Sequence, residues 1–288
     1  MKYTQILIAL CAPAMALSFT SCGKKTTSGS AIQINGSDTM LQVGIAWADA
    51  YKAVNPDVTI TVNGEGSGTG IAALINGTVE IAQSSRALKP EEIESIKASH
   101  GGVAPVEHIV GYDGIAVFVN KDNPVKSLSL AQLKEIFGEG GSIDNWSQVG
   151  GNDLKMVPVG RNNASGTYAF FRDTVCGKGV EYKNAVSPQS GSTAVVELCT
   201  TTAAGIGYSG MGYINPNVGV LSVSKEDGGP AYEPNAKNVG SGDYPIARPL
   251  YIFTVGEPSG AIKDYLDWIK GPGGQAVVEA EKFVPLPQ

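Results

Sequence analysis

Three stretches of this chain set glycines and hydroxyl side chains where backbone amides can gather round a small anion. They are Gly36-Ser37-Asp38-Thr39, Gly64-Glu65-Gly66-Ser67-Gly68-Thr69-Gly70 and Gly160-Arg161-Asn162-Asn163-Ala164-Ser165-Gly166-Thr167. Each stands between a strand-like apolar run and a segment of helical periodicity. A helix start offers unpaired N–H groups and a partial positive charge. Glycine lets those groups come close, and Ser and Thr hydroxyls add donors, so such a loop suits an oxyanion. One loop of this kind is an ordinary helix cap. Three in one chain, one carrying Arg161, point to an anion site, and Gln83-Ser84-Ser85-Arg86 at the end of another strand-like run adds a fourth polar cluster.

Other chemistries lack their residues. No Gly-Lys-Ser/Thr follows any of these loops, as a nucleotide P-loop requires. No Gly-x-Ser-x-Gly elbow surrounds Ser67, Ser165 or Ser209. Gly205-Ile206-Gly207-Tyr208-Ser209-Gly210 spells the dinucleotide fingerprint, but it follows a helical segment and reads as a strand, so its glycines are assigned to packing. The two histidines, His100 and His108, have no Cys or carboxylate cluster at ligand spacing, so no metal and no cofactor is expected. A formal net charge of −6 argues against nucleic acid, which needs a basic face. At 288 residues, 42 % hydrophobic and 17 % charged, the chain is an ordinary globular one, long enough for one large or two medium domains.

The elements that must position these loops alternate. Strands are expected from Ile32, over Val58–Val62, at Ile81–Ser84 and Met156–Val159, at Ile206–Ser209 and over Leu250–Val255. Helices are expected over Met40–Val54, Gly70–Ile75, from Pro90, over Ser129–Phe137 (with the capping box Ser129-x-x-Gln132), Thr167–Val175, Thr193–Ala203, Ala261–Ile269 and Gln275–Phe283. Val106–Val119 reads as two apolar runs broken at Tyr112-Asp113-Gly114, and Ser224–Asp243 as mostly loop. Such alternation means an α/β fold with mostly parallel sheets. The stretches around Tyr112 and Leu250 would be two crossings between domains.

The chain opens with Lys2 and an apolar stretch, Ile6–Leu17, too short to span a bilayer. Leu17-Ser18-Phe19-Thr20-Ser21-Cys22 resembles the lipobox of bacterial lipoproteins, with Phe19 bulkier than the usual aliphatic residue; Cys22 would carry the lipid. Residues 1–22 are then a lipoprotein signal peptide and 23–30 a flexible tether. The alternative, an ordinary secretory signal, changes the anchor and keeps the compartment. Of four cysteines, Cys11 leaves with the signal, so Cys176 and Cys199 remain, either as a disulfide or as two buried thiols.

Gly36-Ser37-Asp38-Thr39, Gly66-Ser67-Gly68-Thr69-Gly70, Ser84-Ser85-Arg86, and Arg161 followed by Ser165-Gly166-Thr167, with the ending near Pro249-Leu250-Tyr251, resemble in order and spacing the phosphate-binding proteins of high-affinity phosphate ABC transporters. The resemblance covers nearly the whole mature chain. It implies the two-lobed type II periplasmic-binding-protein fold, mixed sheets flanked by helices and joined by two crossing segments. Lobe 1 would be 31–112 and 248–288, and lobe 2 would be 113–247. It further implies a monomer that captures inorganic phosphate outside the cytoplasm, without catalysis, for a membrane permease and ATPase. Carried over by position, Thr39 (hydroxyl), Met40 (N–H), Ser67, Ser85, Arg161, Ser165, Gly166 and Thr167 would bind phosphate, Arg161 being the only full positive charge there. The chain departs from the family at Ser85, where well-known members carry an aspartate that accepts the phosphate proton. Asp113 is the first candidate to replace it and Asp38 the second, with Ser84 and Arg86 as further contacts. A structural alternative pairs Asp113 with Arg86 or Arg161. Other readings to separate are another oxyanion (sulfate, molybdate, tungstate), a phosphate-sensing or adhesion lipoprotein, and a phosphate-ester hydrolase.

Overall fold

The computed structural model describes residues 30–287. The leader, Cys22 and the tether as far as Gly29 lie outside the described residues. The first layer alternates strand and helix: β1 (Ser30–Gly36), α1 (Leu41–Val54), β2 (Val58–Gly64), α2 (Ser67–Ile75), β3 (Ile81–Ser84), α3 (Pro90–Ser99) and the long β4 (Pro105–Asn120). Then follow β5 (Ser127–Ser129), α4 (Leu130–Phe137), β6 (Val157–Arg161), α5 (Gly166–Phe171), β7 (Ser187–Gln189), α6 (Ser192–Thr201), β8 (Gly205–Gly210), β9 (Val218–Ser224) and β10 (Ala231–Tyr232). The chain finishes with α7 (Ala236–Gly240), β11 (Ala247–Val255), α8 (Gly260–Lys270) and α9 (Pro272–Ala280).

Local chemistry explains several boundaries. Ser129 Oγ accepts from Gln132 N–H and Gln132 Oε1 accepts from Ser129 N–H, the reciprocal cap that starts α4. Gly66 precedes α2 at φ 126°, a region closed to other L-residues in practice, so the helix begins at Ser67 and not at Gly70. Past α5 the backbone widens into a π-helical turn over Arg172–Cys176, in place of one continuous helix to Val175. The stretch read as loop contains β10 and α7.

The strands run β2-β1-β3-β11-β4-β8-β6-β7, with β9 on β4 and both β5 and β10 on β9. β1 pairs in parallel with β2 and β3, while β11 lies antiparallel between β3 and β4. The 16 residues of β4 form one unbroken strand, where the sequence suggested two runs. Its partner changes midway: residues 105–114 face β11, and 115–120 face β8 and β9. Asp113 stands at that change, in register with Arg248. The apolar side chains divide accordingly. One cluster draws on 115–246 plus Val284; a second draws on Ile32–Val110 and Leu250–Phe283, with a small third around Leu74, Ala82, Ile96 and Phe253. Burying each Ile, Val, Leu or Phe stabilises by roughly 1.5–3 kcal/mol, so each cluster is a core in its own right. β4 and β11 are the strands that bind them together.

All six residues of β8 are buried, so Gly205–Gly210 is a packed strand. A Cβ at Gly207 would lie 2.8 Å from Cys199 Sγ. Cys199 and Cys176 are free, buried thiols, the second of the two alternatives that the sequence leaves open. Each sulfur has its own niche, Cys199 against Gly207 and Cys176 beside Gly138. Burial pushes the Cys176 thiol up to about 11 and the Cys199 thiol up to about 12, which keeps both protonated. No described helix is long and apolar enough to cross a membrane.

Candidate oxyanion-binding cleft

Four polar segments arrive at one place because each follows the end of a strand in the continuous sheet. Gly36-Ser37-Asp38-Thr39 leaves β1, the Gly66-Ser67 turn leaves β2, Ser84-Ser85 leaves β3, and Arg161 through Thr167 leaves β6. Ser85 Oγ lies 2.9 Å from Ser37 Oγ and 3.3 Å from Ser67 Oγ, and Ser85 N–H donates to Ser67 Oγ at 3.1 Å. From the other side, Thr167 Oγ1 sits 2.7 Å from Thr39 Oγ1, and Gly68 N–H donates to Ala164 O at 2.9 Å. Gly166 is wedged so closely that a Cβ there would stand 2.3 Å from Ser67 Oγ and 2.7 Å from Ser85 Oγ. Segments over a hundred residues apart in sequence thus form one buried cluster of hydroxyls. Ser37, Thr39, Ser67, Ser85, Ser165 and Thr167 are all at most 3 % exposed.

Two guanidinium groups flank the hydroxyls. Arg161, 2 % exposed, donates to Ser192 Oγ at 2.8 Å and Ser190 O at 3.1 Å, and pairs with Asp38 Oδ1 at 3.1 Å. Its Nε has no partner among the described residues, a buried donor left for something else. Asp38 Oδ1 also accepts from Ser192 N–H and Oγ, each at 2.7 Å, so Asp38 ties its own loop to the start of α6. The second guanidinium is Arg248 on β11, also 2 % exposed. It pairs with the fully buried Asp113 at 2.9 Å and donates to Ser85 O at 2.9 Å and Thr167 Oγ1 at 2.9 Å. Burial lowers the pKa of both guanidiniums, opposed by Asp38 and by Asp113, yet arginine stays charged at neutral pH. Burial likewise pushes the Asp113 carboxyl above its usual range, while Arg248 and the Met211 N–H pull it back.

Several expectations are corrected here. Arg161 is not the only cation, because Arg248 shares the cluster. Asp113 pairs with neither Arg86 nor Arg161 but with its cross-strand neighbour Arg248. Arg86 grips Glu92 at 2.8 and 2.6 Å, at the start of α3, and takes no part in the hydroxyl cluster. Ser84 Oγ closes a local turn onto the backbone of Arg86. Ser165 Oγ caps α5 by accepting from Thr167 and Tyr168 N–H, and Met40 N–H closes the turn onto Ser37 O. Arg248, Ser192 and Tyr213, whose hydroxyl donates to Asp38 O at 2.7 Å, escaped the sequence reading. A signal for Arg248 existed: an arginine at the mouth of the apolar run Pro249–Val255, where burial requires a partner. Among the described residues no group of three or more His, Cys, Asp or Glu gathers to hold a metal.

Hydroxyls and two guanidiniums converge between two cores, an arrangement able to receive a compact oxyanion. A model for the PBP superfamily domain matches residues 23–271. Phosphate-binding protein PstS of Bacillus subtilis is 34 % identical over 99 % of this chain and 95 % of its own length. The chain belongs to the phosphate-binding-protein family of the PBP superfamily. A second member, phosphate-binding protein PstS of Pseudomonas aeruginosa, is 34 % identical over 88 % of this chain and 82 % of its own length. Among solved structures, a phosphate ABC-transporter substrate-binding protein of Clostridium perfringens with bound phosphate superposes with TM-score 0.80. It is 32 % identical and covers 90 % of this chain and 100 % of its own. An ABC-type phosphate transport receptor of Vibrio cholerae follows at TM-score 0.70 and 25 % identity, over 89 % of this chain and 100 % of its own. The mixed sheet flanked by helices is the fold of this family.

Proposed function

We propose that this protein captures inorganic phosphate outside the cytoplasm and delivers it to an ABC importer, its permease and ATPase subunits, without altering the ion chemically. In this reading residues 31–112 with 248–288 form one lobe, 113–247 the other, and β4 and β11 carry the chain between them. The protein acts as a monomer held at a membrane by lipid on Cys22. Phosphate is taken between the lobes by the hydroxyls of Thr39, Ser67, Ser85 and Thr167, the amide at Gly166, and the Arg161 guanidinium. The hydroxyl–hydroxyl bond between Thr39 and Thr167 gives way to two bonds onto phosphate oxygens. Charge-assisted bonds from Arg161 contribute most, roughly 1.5–3 kcal/mol each. Asp113 takes the role of the missing family aspartate. A carboxylate has about four acceptor sites; Arg248 and Met211 N–H fill three of them, leaving Oδ1 one for the proton phosphate carries at neutral pH.

The observation that carries this reading is the convergence of four distant loops on one buried hydroxyl cluster bearing Arg161. Its Nε gives an incoming oxyanion a donor that no described residue uses. Titration calorimetry on dialysed protein lacking residues 1–22, with phosphate, sulfate, molybdate and tungstate, tests it. Phosphate is expected to bind tightest and sulfate far more weakly. Equal heats for all four anions, or none for phosphate, overturn the assignment.

A further inference from the structure

We infer that Arg248 is a second phosphate-binding cation and the group that makes anion capture close the two lobes. This rests on the phosphate-capture reading and adds a residue and a mechanism to it. The guanidinium stands on β11, opposite Asp113 on β4, in the pair of strands that joins the two cores. From there its donors reach both sides. Nη1 donates to Ser85 O at 2.9 Å and Nη2 to Thr167 Oγ1 at 2.9 Å, with Thr39 Oγ1 3.5 Å away. Asp113 Oδ2 holds the head from behind at 3.2 Å (Nε) and 2.9 Å (Nη2). Among the described residues, Arg248 is the one that hydrogen-bonds the β3 loop, the start of α5 and the strand pair between them.

The arrangement differs from a structural salt bridge in what the charge faces. An ion pair that only braced β4 against β11 would lose nothing by turning its remaining donors to a carbonyl of either strand. Here Nη2 lies against the hydroxyls of Thr39 and Thr167, which come from opposite sides of the cleft and meet at 2.7 Å. An oxyanion seated between those hydroxyls comes within reach of Nη2. The far side of the guanidinium stands 5.4 Å from the Phe170 ring. Phe170 and Arg248 both line a cavity of about 310 Å³ that Arg86, Lys89, Arg172, Asp173 and Tyr251 also border. Arg248 thus borders both this cavity and the hydroxyl cluster. Asp113 holds the head in place, and a fixed guanidinium loses little freedom on binding. Closure brings Thr167 to the ion and to Arg248 at once. Phosphate in the open cleft, touching Arg248 from one lobe only, binds weakly; a ligand favours closure only by its excess affinity for the closed form.

The test uses the soluble chain lacking residues 1–22 as wild type, Arg248→Lys, Arg248→Gln and the double variant Asp113→Asn/Arg248→Gln, which leaves no unpaired buried charge. Phosphate affinity is read by calorimetry, closure by small-angle scattering with and without phosphate, and folding by circular dichroism. Loss of about 10- to 100-fold in affinity is expected for Arg248→Gln and for the folded double variant, with Arg248→Lys in between. The phosphate-induced drop in radius of gyration should vanish in both Gln variants at phosphate concentrations that saturate them. If the folded double variant binds like wild type, or binds weakly yet closes fully when saturated, the inference is overturned. A wild type that binds no phosphate overturns the capture reading itself, a result distinct from either.

Discussion

In the proposed reading, Asp113 is the residue on which anion selectivity turns. It is completely buried, and its carboxylate faces Arg248, the Met211 amide and the Gly210 backbone. Ser85 has only a hydroxyl to offer, which donates to fully ionised sulfate as readily as it accepts from phosphate. Discrimination needs a group that repels the wrong ion, and among the described residues Asp113 is the carboxylate ion-paired to a guanidinium that touches Thr167. Asp38 is the second candidate; its Oδ1 receives three donors from Arg161 and Ser192, which turn it toward the start of α6. Asp113→Asn keeps the shape and removes the charge, so phosphate should weaken and sulfate strengthen. The ratio of their dissociation constants is expected to shrink about 10-fold or more, since one charge-assisted bond is worth roughly 1.5–3 kcal/mol. Competition calorimetry with both anions measures that ratio, and an unchanged ratio removes Asp113 from the role. The residue types at the site were legible because hydroxyls, glycines and Arg161 cluster within single loops. Arg248 was not, because its meaning lies in a cross-strand pair whose members are 135 positions apart.

At the scale of elements, the starts of α2 and α5 come together, with Gly166 packed against Ser67 and Ser85. A methyl group there would stand 2.3 Å from Ser67 Oγ and 2.7 Å from Ser85 Oγ, both buried. Gly166 lies inside α5, a conformation alanine adopts freely, so the substitution conflicts with the facing loops and not with its own helix. Gly166→Ala should therefore fold, hold the cleft ajar and lower phosphate affinity about 100-fold, a loss of the size expected when the competent state falls to about 1 %. Calorimetry paired with scattering checks this; a variant that closes fully and binds normally means the loops shift aside. Strands and helices were legible where periodicity and caps agree, as in the Ser129–Gln132 box and the buried run Ile81–Ser84. β4 was misread as two runs because Tyr112-Asp113-Gly114 breaks the apolar pattern. The pattern breaks there for a reason of assembly: Asp113 is satisfied by Arg248, and a side chain at Gly114 would strike Val239 at 2.7 Å. Polarity inside a strand marked the change of partners, and only the pairing itself reveals that.

Across the whole molecule, two cores meet along β4 and β11, and the hydroxyl cluster touches Arg248 on that pair. Residues 115–246 supply nearly all of one core, and the segments before 111 and after 249 supply the other. Separating the halves would strand Asp113 and Arg248 in apolar surroundings, each without its counter-charge, a costly state. The halves should accordingly melt together, and a ligand gripping both should raise that single transition. For a ligand at a hundred times its dissociation constant the stabilisation is about 2.7 kcal/mol. At roughly 2–4 °C per kcal/mol for chains somewhat shorter than this one, the midpoint should rise by about 5–10 °C. Differential scanning calorimetry in phosphate-free buffer should show one peak that phosphate moves upward whole, while sulfate at equal concentration moves it little. Two resolved peaks, with phosphate shifting one and leaving the other, would mean that the ion is held by one half alone. The shared strands would then be a tether between independent domains, and the Arg248–Asp113 pair would have no part in joining them around the anion.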